Sequence, residues 1–452
     1  MLDPSGKPIS GAVAVLTPAA GTSGYRTESS AAGEFSLQIP AGPYLLELSA
    51  PGFRPAHELV SLNAGAAVNL RFTLDLAGVN TALTVAEPTE YGVQTIQSAT
   101  RTPTPLRDVP QAITVVTHEQ VRDQLMMSIG DVVRYVPGIT SHQGENNRDQ
   151  LVIRGNSTSA DFFVNGIRDD VQYYRDLYNL ERVDALKGPN ALVFGRGGGG
   201  GVVNRVTKEA GFGRFGEIQL QGGSYGNKRA MADWNQDFGQ RIAARLNGMY
   251  ENSGSFRDYA NLERFAVNPT ASLRATENTR IVLSYEHLWD GRKADRGVPS
   301  YQGLPVTVPI GTFYGNPSDS SVHARVNLGT VLLEHQRARW SIRNRTQIAA
   351  YDRGYRNYVP GAVNPAATAV LLSAYDNAIG RVNFFNQSDL SRTAFTGGVR
   401  HTILGGAELG RQSTDNFRNT GYFNNSATSI SLPYDQTVTS IPTTFRQSAT
   451  DA

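Results

Sequence analysis

The chain has 452 residues, of which 40% are hydrophobic and 18% charged, with a formal net charge of +2. This balance is ordinary for a globular protein, and no basic stripe or arginine-rich tail indicates nucleic-acid binding. The complete lack of cysteine excludes a disulfide framework, thiolate chemistry and cysteine metal sites. No stretch approaches the roughly 20 apolar residues that a membrane-spanning helix needs. No basic and then apolar leader follows Met1.

Residues 1–76 consist of short apolar runs separated by turn signals rich in glycine and proline. Strands are predicted over Val13 to Leu16, Glu34 to Ile39, Tyr44 to Leu48 and Val68 to Leu74. Short strands at this spacing favour a small β-sandwich.

Residues 77–105 show no strong hydrophobic period and are predicted to form an extended linker. Within them, one short β-prone patch ends in an acidic residue: Thr81, Ala82, Leu83, Thr84, Val85, Ala86 and Glu87. Taken alone, the patch is more typical of plain linker or of the last strand of the sandwich than of a partner-binding segment. Its position between two predicted domains favours a strand that pairs with the edge of a partner's sheet.

Residues 106–210 change character and predict a compact α+β domain. Residues 119–124 and 129–135 have helical spacing, and the second helix is expected to end at Val136-Pro137-Gly138. A tight turn is predicted at Asn165-Gly166. Strands are predicted over Gln111 to Val116, Leu151 to Arg154, Phe162 to Val164, Arg182 to Leu186 and Gly201 to Val206.

Residues 211–452 alternate between apolar and polar side chains. Ile242, Ala244 and Leu246, for example, oppose Arg241 and Arg245. One apolar and one polar face per strand predicts a transmembrane antiparallel β-barrel. Short connections are expected at residues 237–240, 276–278 and 337–339, and long ones at 291–327 and 353–380. About nine strands are predicted before the chain ends, against about 22 in plugged transporters, so only the first part of a barrel is expected.

Two glycine motifs raise the question of enzymatic activity. Residues 195–200 match a dinucleotide-binding fingerprint, but a strand is predicted after them where that fingerprint requires a helix. Residues 222–226 match a nucleophile elbow, but a strand is again predicted where the elbow requires a helix. The seven histidines have no metal-binding spacing, so neither an enzyme nor a protein-bound metal is predicted.

Residues 6–13, 33–35 and 42–44 resemble the carboxypeptidase regulatory-like domain, which is a non-catalytic accessory module. The α+β domain resembles the plug of the TonB-dependent siderophore receptor family through several motifs that occur in order. Residues 294–300 also resemble a loop of siderophore receptors. The plug motifs are residues 108–116, Val136-Pro137-Gly138-Ile139, Ile153-Arg154-Gly155, Val164-Asn165-Gly166, residues 180–184, Lys187-Gly188-Pro189, Leu192-Val193-Phe194-Gly195 and residues 200–204.

The resemblance implies a mainly β protein with an N-terminal sandwich, an α+β plug and the first part of a barrel in the outer membrane. It implies import of a ferric siderophore by energy-coupled rearrangement of the plug, with plug and N-terminal domain facing the periplasm. Residues 81–87 are then the TonB box, which binds TonB and its inner-membrane energising complex. The expected partners are the siderophore, TonB and outer-membrane lipid. Iron is carried within the siderophore, so no cofactor is expected on the protein.

The resemblance also implies two sets of site residues. The apical plug loops are expected to contact the ligand, and a second set is expected to join plug and barrel. The family usually has arginine where Lys187 stands, and lysine lacks the planar fork that grips carboxylates. The ligand set is Gln143, Arg148, Asn156, Tyr173 and Tyr174, and the plug–barrel set is Arg154, Glu181, Arg182 and Lys187.

Two alternatives remain open from the sequence. An importer of oligosaccharide or another scarce nutrient would share this fold and could use the same aromatic loops. A structural or adhesive outer-membrane barrel would belong to a different class. The plug motifs and the TonB box argue against it, because a passive barrel needs no removable plug.

Overall fold

The computed structural model describes residues 1–2, 7–18, 24–50, 53, 56–63, 65, 68–74, 91–195, 198–396 and 399–448. The chain divides into two compact units, Met1–Leu83 and Thr84–Ala452. The helices in the described residues are short, and none of them has the length and apolar character to cross a membrane.

The first unit contains one four-stranded antiparallel sheet in its described part, with the order β2-β1-β3-β4. Its buried face carries small and branched apolar side chains, including Ala14, Leu46 and Val60. Phe35 and Phe72 pack against this core from segments outside the sheet. The strands are β1 (Val13–Pro18), β2 (Tyr25–Glu28), β3 (Gly42–Ser49) and β4 (Ala56–Leu62).

Two of the four predicted strands of this unit are confirmed, as β1 and β3. The strand prediction for residues 34–39 is wrong, because these residues alternate in burial but join no ladder. Residues 68–74 contribute only an isolated bridge between Thr73 and Leu2. Both segments supply apolar side chains to the core, which explains their strand-like pattern without strand pairing.

The second unit begins with a mixed α+β domain, called the plug, that contains a five-stranded and a three-stranded sheet. The larger sheet has the order β12-β11-β14-β13-β7, and the smaller has the order β10-β9-β8. The elements are β5 (Thr95–Ile96), β6 (Thr104–Pro105), β7 (Ala112–Thr117), α1 (His118–Asp123), α2 (Ile129–Val133), β8 (Ile139–His142), β9 (Gln150–Ile153), β10 (Asn156–Thr158), β11 (Phe162–Val164), β12 (Ile167–Arg168), β13 (Leu180–Lys187), α3 (Ala191–Phe194) and β14 (Gly201–Thr207).

Local sequence signals set the boundaries of the plug elements. The Ser128 side chain accepts a hydrogen bond from the Asp131 backbone, and the Asp131 carboxylate accepts one in return, which forms a capping box at α2. Asn165 and Gly166 both have positive φ, 51° and 85°, as the predicted tight turn between β11 and β12 requires. The predicted helices and strands of the plug are therefore confirmed with shifts of one or two residues at most ends.

Nine long strands form the wall that follows the plug, each paired with the next in antiparallel register. Two short strands add to its edge: β26 pairs with β24, and β27 pairs with β25. The elements are β15 (Phe215–Gly222), β16 (Lys228–Phe238), β17 (Ile242–Ser253), β18 (Asn261–Thr276), β19 (Thr279–Lys293), β20 (Ser300–Tyr301), β21 (Leu304–Pro305), β22 (Ser321–Arg337), β23 (Trp340–Val363), β24 (Ala369–Thr396), β25 (Val399–Phe423), β26 (Ser429–Pro433) and β27 (Thr443–Arg446).

In the wall, apolar side chains are exposed and polar side chains are buried, which is the reverse of the arrangement in a water-soluble protein. On β17, Leu246 and Tyr250 are exposed at 44% and 45%, while Asn247 and Glu251 are buried at 0% and 2%. The apolar face therefore points away from the plug and the polar face towards it, as expected of a strand between lipid and a polar interior. The predicted mainly β fold class is confirmed.

The connections distinguish the two ends of the wall. Tight turns join β16 to β17, β18 to β19 and β22 to β23, at the three predicted positions; we call this the turn end. The opposite, loop end carries the long connection 294–320. The long loop predicted at 353–380 is wrong, because β23 and β24 continue through it and leave only residues 364–368 as the turn. Asn364 closes that turn by accepting hydrogen bonds from the Thr368 and Ala369 backbone.

Candidate functional site

The apical part of the plug lies at the loop end of the wall. The Gln143 side chain donates to the Asp295 carbonyl at 2.7 Å, which ties the plug to the long connection. The Glu145 carboxylate accepts from the Tyr375 hydroxyl on β24 at 3.0 Å. Residues 141–149 are therefore in position to meet a ligand that arrives from this end.

Three of the five predicted ligand residues lie together at this apex. Gln143 is exposed, and its carbonyl accepts from the Tyr174 hydroxyl at 3.0 Å. The Arg292 guanidinium stacks 4.3 Å from the centre of the Tyr174 ring. Burial raises the pKa of Tyr174 to about 12, so its hydroxyl stays a hydrogen-bond donor at neutral pH. Arg148 lies 2.9 Å from the Glu145 carboxylate.

The other two predicted ligand residues are placed differently. Tyr173 is only 2% exposed, because its hydroxyl donates to Asp169 at 2.9 Å and its ring packs on the Arg175 guanidinium. Its ring is buried in this conformation, and its contact with a ligand stays a prediction. Asn156 is exposed at the start of β10.

A cavity of about 230 Å³ lies at the apex of the plug. Gln143 and Tyr174 line it together with His142, Asp149 and Gln150. The cavity combines one aromatic ring with amide, imidazole and carboxylate groups. Such a mixture suits a ligand with both flat and polar faces.

The predicted plug–barrel residues make their described hydrogen bonds inside the plug. Lys187 donates to the Thr114 hydroxyl at 3.1 Å, and Arg182 donates to Asp184 at 3.0 Å. Burial and the nearby Arg154 lower the pKa of Lys187. Glu181 is exposed at the start of β13. Barrel contacts of these four residues stay a prediction.

A buried ion cluster joins plug and wall elsewhere, at Asp176. Arg229 on β16 donates two hydrogen bonds to its carboxylate, at 2.7 and 2.9 Å, and Arg264 on β18 lies 3.0 Å away. Glu251 on β17 stands between the two arginines in register and binds both, at 2.6 and 2.7 Å. We call these four residues the Asp176 cluster; all are at most 7% exposed.

The electrostatics of the Asp176 cluster favour the charged carboxylate. Burial opposes ionisation, but Arg229 and Arg264 outweigh it and lower the pKa of Asp176 to about 2. Asp176 also accepts from the backbone N–H groups of Leu177 and Tyr178, at 2.8 and 2.9 Å. The carboxylate is therefore held in one orientation, and the plug is bonded through it to two strands of the wall.

The last residues of the plug form a second ionic contact with the wall. Lys208 and Arg245 both bind the Asp233 carboxylate, at 2.8 and 2.7 Å. Glu209 binds Arg280 at 2.7 Å. Burial opposes ionisation of Glu209, but Arg280 and Arg345 outweigh it and lower its pKa. The chain thus passes from plug to wall through paired charges.

Asp169 joins the interior of the plug to β23. Its carboxylate accepts from Arg175 and Arg205, at 2.9 and 2.8 Å, and from the Tyr351 hydroxyl at 3.2 Å. Burial opposes ionisation, but the two guanidinium groups outweigh it and lower the pKa of Asp169. Arg175 is fully buried and stacks on the Phe162 ring at 4.0 Å. Asp149 lies 3.4 Å from the Arg175 guanidinium, so two carboxylates face the two buried arginines.

The segment that precedes the plug is bonded at the turn end. Arg101 lies 3.2 Å from Asp389 on β24 and also donates to the Val193 carbonyl in the plug. Arg343 on β23 donates to the Gln97 side chain at 2.8 Å. The chain around residues 97 and 101 is therefore bonded to both plug and wall at this end. The predicted TonB box, residues 81–87, lies outside the described residues.

In the described residues, a strand follows each of the two glycine motifs, where the corresponding enzyme motif requires a helix. Strand β14 follows the first motif, of which residues 196 and 197 lie outside the described residues. Ser224 lies in a short 3-10 turn between β15 and β16.

The residues that join plug and wall were missed by sequence reasoning. Their partners stand 25 to 288 residues away in the chain, so no local pattern pairs them. One signal was available: Arg229, Glu251 and Arg264 occupy polar-face positions of strands whose other face is apolar. A charged residue there must find a partner inside the wall.

Two family matches agree with the domains described above. Residues 2–75 match the carboxypeptidase regulatory-like domain, and residues 105–202 match the TonB-dependent receptor plug domain. The chain is 30% identical over 331 residues to a probable TonB-dependent siderophore receptor, PiuA, of Acinetobacter baumannii, covering 69% of this chain and 44% of that protein. It is 32% identical over 358 residues to the probable TonB-dependent receptor BfrD of Bordetella pertussis, covering 74% of this chain and 47% of that protein.

Among solved structures, the siderophore receptor PiuA of Acinetobacter baumannii is similar, with a TM-score of 0.70 and 25% identity. The match covers 76% of this chain and 53% of that chain. The chain spans about half the length of the curated relatives it matches. These relatives are receptors, in agreement with the prediction that the chain is no enzyme.

Proposed function

We propose that this chain, which belongs to the TonB-dependent siderophore receptor family, serves to import a ferric siderophore across the outer membrane. The observation that carries the proposal is the position of the plug against the polar face of the strand wall. Its apex lies at the loop end, and the segment before it is bonded at the turn end. A ligand arriving at one end and an energy source acting at the other would both act on the same small domain.

Recognition would take place at the loop end, between the plug apex and the long connection. Gln143, Arg148, Tyr174 and exposed Asn156 remain the proposed ligand contacts on the plug. Iron would enter as part of the chelate, as substrate, so the protein need supply only donors and aromatic surface to the organic shell. The name of the similar PiuA protein supports a siderophore over the oligosaccharide alternative.

Energy would be applied at the turn end. Ligand binding would favour release of residues 81–87 into the periplasm, an order–disorder change. TonB would pair with the released strand by strand addition, and its inner-membrane complex would supply the work of moving the plug. The plug and the N-terminal domain would face the periplasm. The buried contacts at Asp176, Lys208 and Glu209 set how much work that movement needs.

The test separates ligand binding from transport in the full-length protein. Replacing residues 81–87 by a glycine–serine segment of equal length should abolish iron uptake and leave binding of a ferric siderophore unchanged. The matched control replaces residues 75–80 in the same way and should retain uptake. Loss of binding together with uptake, or uptake that survives the first replacement, would contradict the proposal.

A further inference from the structure

Two arginines bind one carboxylate at the loop end, and a third arginine binds the plug beside them. Arg148 of the plug and Arg296 of the long connection lie 2.9 and 3.3 Å from the Glu145 carboxylate. Arg353 on β23 donates to the Asn147 side chain, two residues further along the plug, at 2.9 Å. We call Arg148, Arg296 and Arg353 the arginine cluster. Against the single acid, the three cations leave a net charge of +2.

Arg353 is buried without a carboxylate among the described residues. Its side chain is 2% exposed, and its hydrogen-bond partners are the neutral amides of Asn147 and Gln172. The Tyr355 ring lies 4.5 Å from its guanidinium. Burying a charge without a counter-ion is costly, and such charges recur where a ligand supplies the missing partner.

The other two arginines also have unused donors within the described part of the chain. The Nε atoms of Arg148 and Arg296 are buried and make no hydrogen bond there. The Nη1 atom of Arg296 lies within ion-pair distance of Glu145 but does not have hydrogen-bond geometry. The nearby carboxylate of Asp295 does not neutralise the cluster, because it pairs with Arg257 at 3.2 Å.

Glu145 is held in a strained backbone conformation. Gly144, Glu145 and Asn146 have consecutive positive φ values of 61°, 57° and 52°. The left-handed region costs non-glycine residues free energy, and such strain is typical of functional loops. The Tyr375 hydroxyl and the two arginines hold the carboxylate in place. An anion that took the two arginines would remove two of the three described contacts that hold the Glu145 carboxylate.

We infer that the arginine cluster binds an anionic group of the imported chelate, and that Glu145 occupies this position until the ligand replaces it. The inference rests on the proposed function and adds the charge of the substrate. The planar guanidinium groups of Arg148 and Arg296 suit paired oxygen atoms, as on a catecholate or carboxylate. Displacement of the Glu145 carboxylate would also release contacts of the plug apex, so the apex can rearrange when the ligand binds. A chelate of net negative charge is therefore selected over a cationic one.

The test measures binding by quenching of tryptophan fluorescence on the full-length protein in detergent. The probes are a ferric tris-catecholate of charge −3 and a ferric trihydroxamate that carries a free ammonium group. Arg296→Gln should weaken binding of the catecholate about tenfold or more, in line with loss of a charged contact. Glu145→Gln should strengthen it severalfold, because it removes the competing anion. Arg325→Gln, at an exposed arginine of β22, is the control and should change neither.

The sign of the Glu145→Gln effect separates the inference from a structural role. A merely structural Glu145 predicts weaker binding of both probes, and that result would overturn the inference. Tight binding of the ammonium-bearing trihydroxamate alone, unaffected by Arg296→Gln, would also overturn it while the proposed function stood. If the wild-type protein, shown to be folded, bound neither ferric chelate, the proposed function and the inference would fall together.

Discussion

Asp176 offers the sharpest test of how the plug is held. Replacing it by asparagine keeps the shape of the side chain and an oxygen for the Leu177 and Tyr178 amides. It removes the negative charge that faces Arg229 and Arg264. The Asp176 cluster contains two acids and two arginines, so the variant leaves one net positive charge in a buried site.

The expected loss of plug stability in Asp176→Asn follows from the burial of the ion pairs. Asp176 is fully buried, and its ion partners are at most 7% exposed, so solvent screens the interaction poorly. Breaking one side of a buried ion pair costs about 3–5 kcal/mol. At about 1.4 kcal/mol per factor of ten, the equilibrium between bound and released plug should shift by roughly two to three and a half orders of magnitude.

The lack of cysteine makes this shift measurable by thiol labelling. A cysteine introduced at Ala185, which is 1% exposed in β13, should react only when the plug opens. Asp176→Asn should lower the urea concentration at half-labelling. Asp237→Asn is the matched control, because Asp237 pairs with the exposed Arg214 and should contribute about 1 kcal/mol or less.

A double variant tests the electrostatic reason itself. Adding Arg264→Gln to Asp176→Asn restores charge balance, so the two changes together should cost less than the sum of their separate effects. If Asp176→Asn is labelled at the same urea concentration as Asp237→Asn, or if the two changes simply add, the Asp176 cluster does not hold the plug through its balance of charge.

Three further predictions address the plug and its linker. The pKa of Asp176 is lowered to about 2 from an ordinary 3.8, so its stabilisation of the plug is fully present above about pH 4 and lost as the pH falls towards 2. Urea unfolding followed by circular dichroism at pH 5, 3.5 and 2.5 should show this loss, and Asp176→Asn should make the dependence on pH weaker. Gly200→Ala would place a Cβ atom 2.2 Å from the Ile153 carbonyl oxygen. This clash should destabilise the plug by about 3 kcal/mol or more, measured by urea unfolding. The control Gly213→Ala has open space around the new Cβ atom and should leave the stability unchanged. Arg101→Gln removes the ion pair with Asp389 and should speed tryptic cleavage after the exposed Arg107 severalfold, which a cleavage time course measures; an unchanged rate would show that this pair does not hold the linker.

Much of the fold could be predicted because the signals are local. The alternation on β17 has period two, and the turns after β16, β18 and β22 are short and polar. The two plug helices were predicted from apolar spacing and the Val136-Pro137-Gly138 stop, and Ser128 adds a capping box. These features depend on neighbours within a few residues.

The hairpin of β23 and β24 was missed for a physical reason. Pro360 and Gly361 are turn signals inside a segment that the structure pairs as strand, and the register shifts just after Pro360 to accommodate them. The true turn is marked by Asn364, whose side chain accepts from the Thr368 and Ala369 backbone. Tertiary pairing with β26 supports the extended strand where local propensity is weak.

The candidate site was only partly predictable. Gln143, Arg148 and Tyr174 lie at the apex because they flank turns, which sequence reveals. The burial of Tyr173 depends on Asp169 and Arg175, whose arrangement follows from packing and not from a motif. The plug–wall ion pairs depend on strand register, which fixes Arg229, Glu251 and Arg264 side by side.

Import of a ferric siderophore is measured by uptake in cells in which the full-length protein is the sole importer for its substrate. Radiolabelled iron would be offered as ferric siderophores, and radiolabelled oligosaccharides would be offered in parallel, with a protonophore added to half of each culture. We expect accumulation of iron from at least one ferric siderophore, abolished by the protonophore, and no accumulation of sugar. Accumulation of an oligosaccharide alone, or iron uptake that the protonophore leaves intact, would contradict the proposed function.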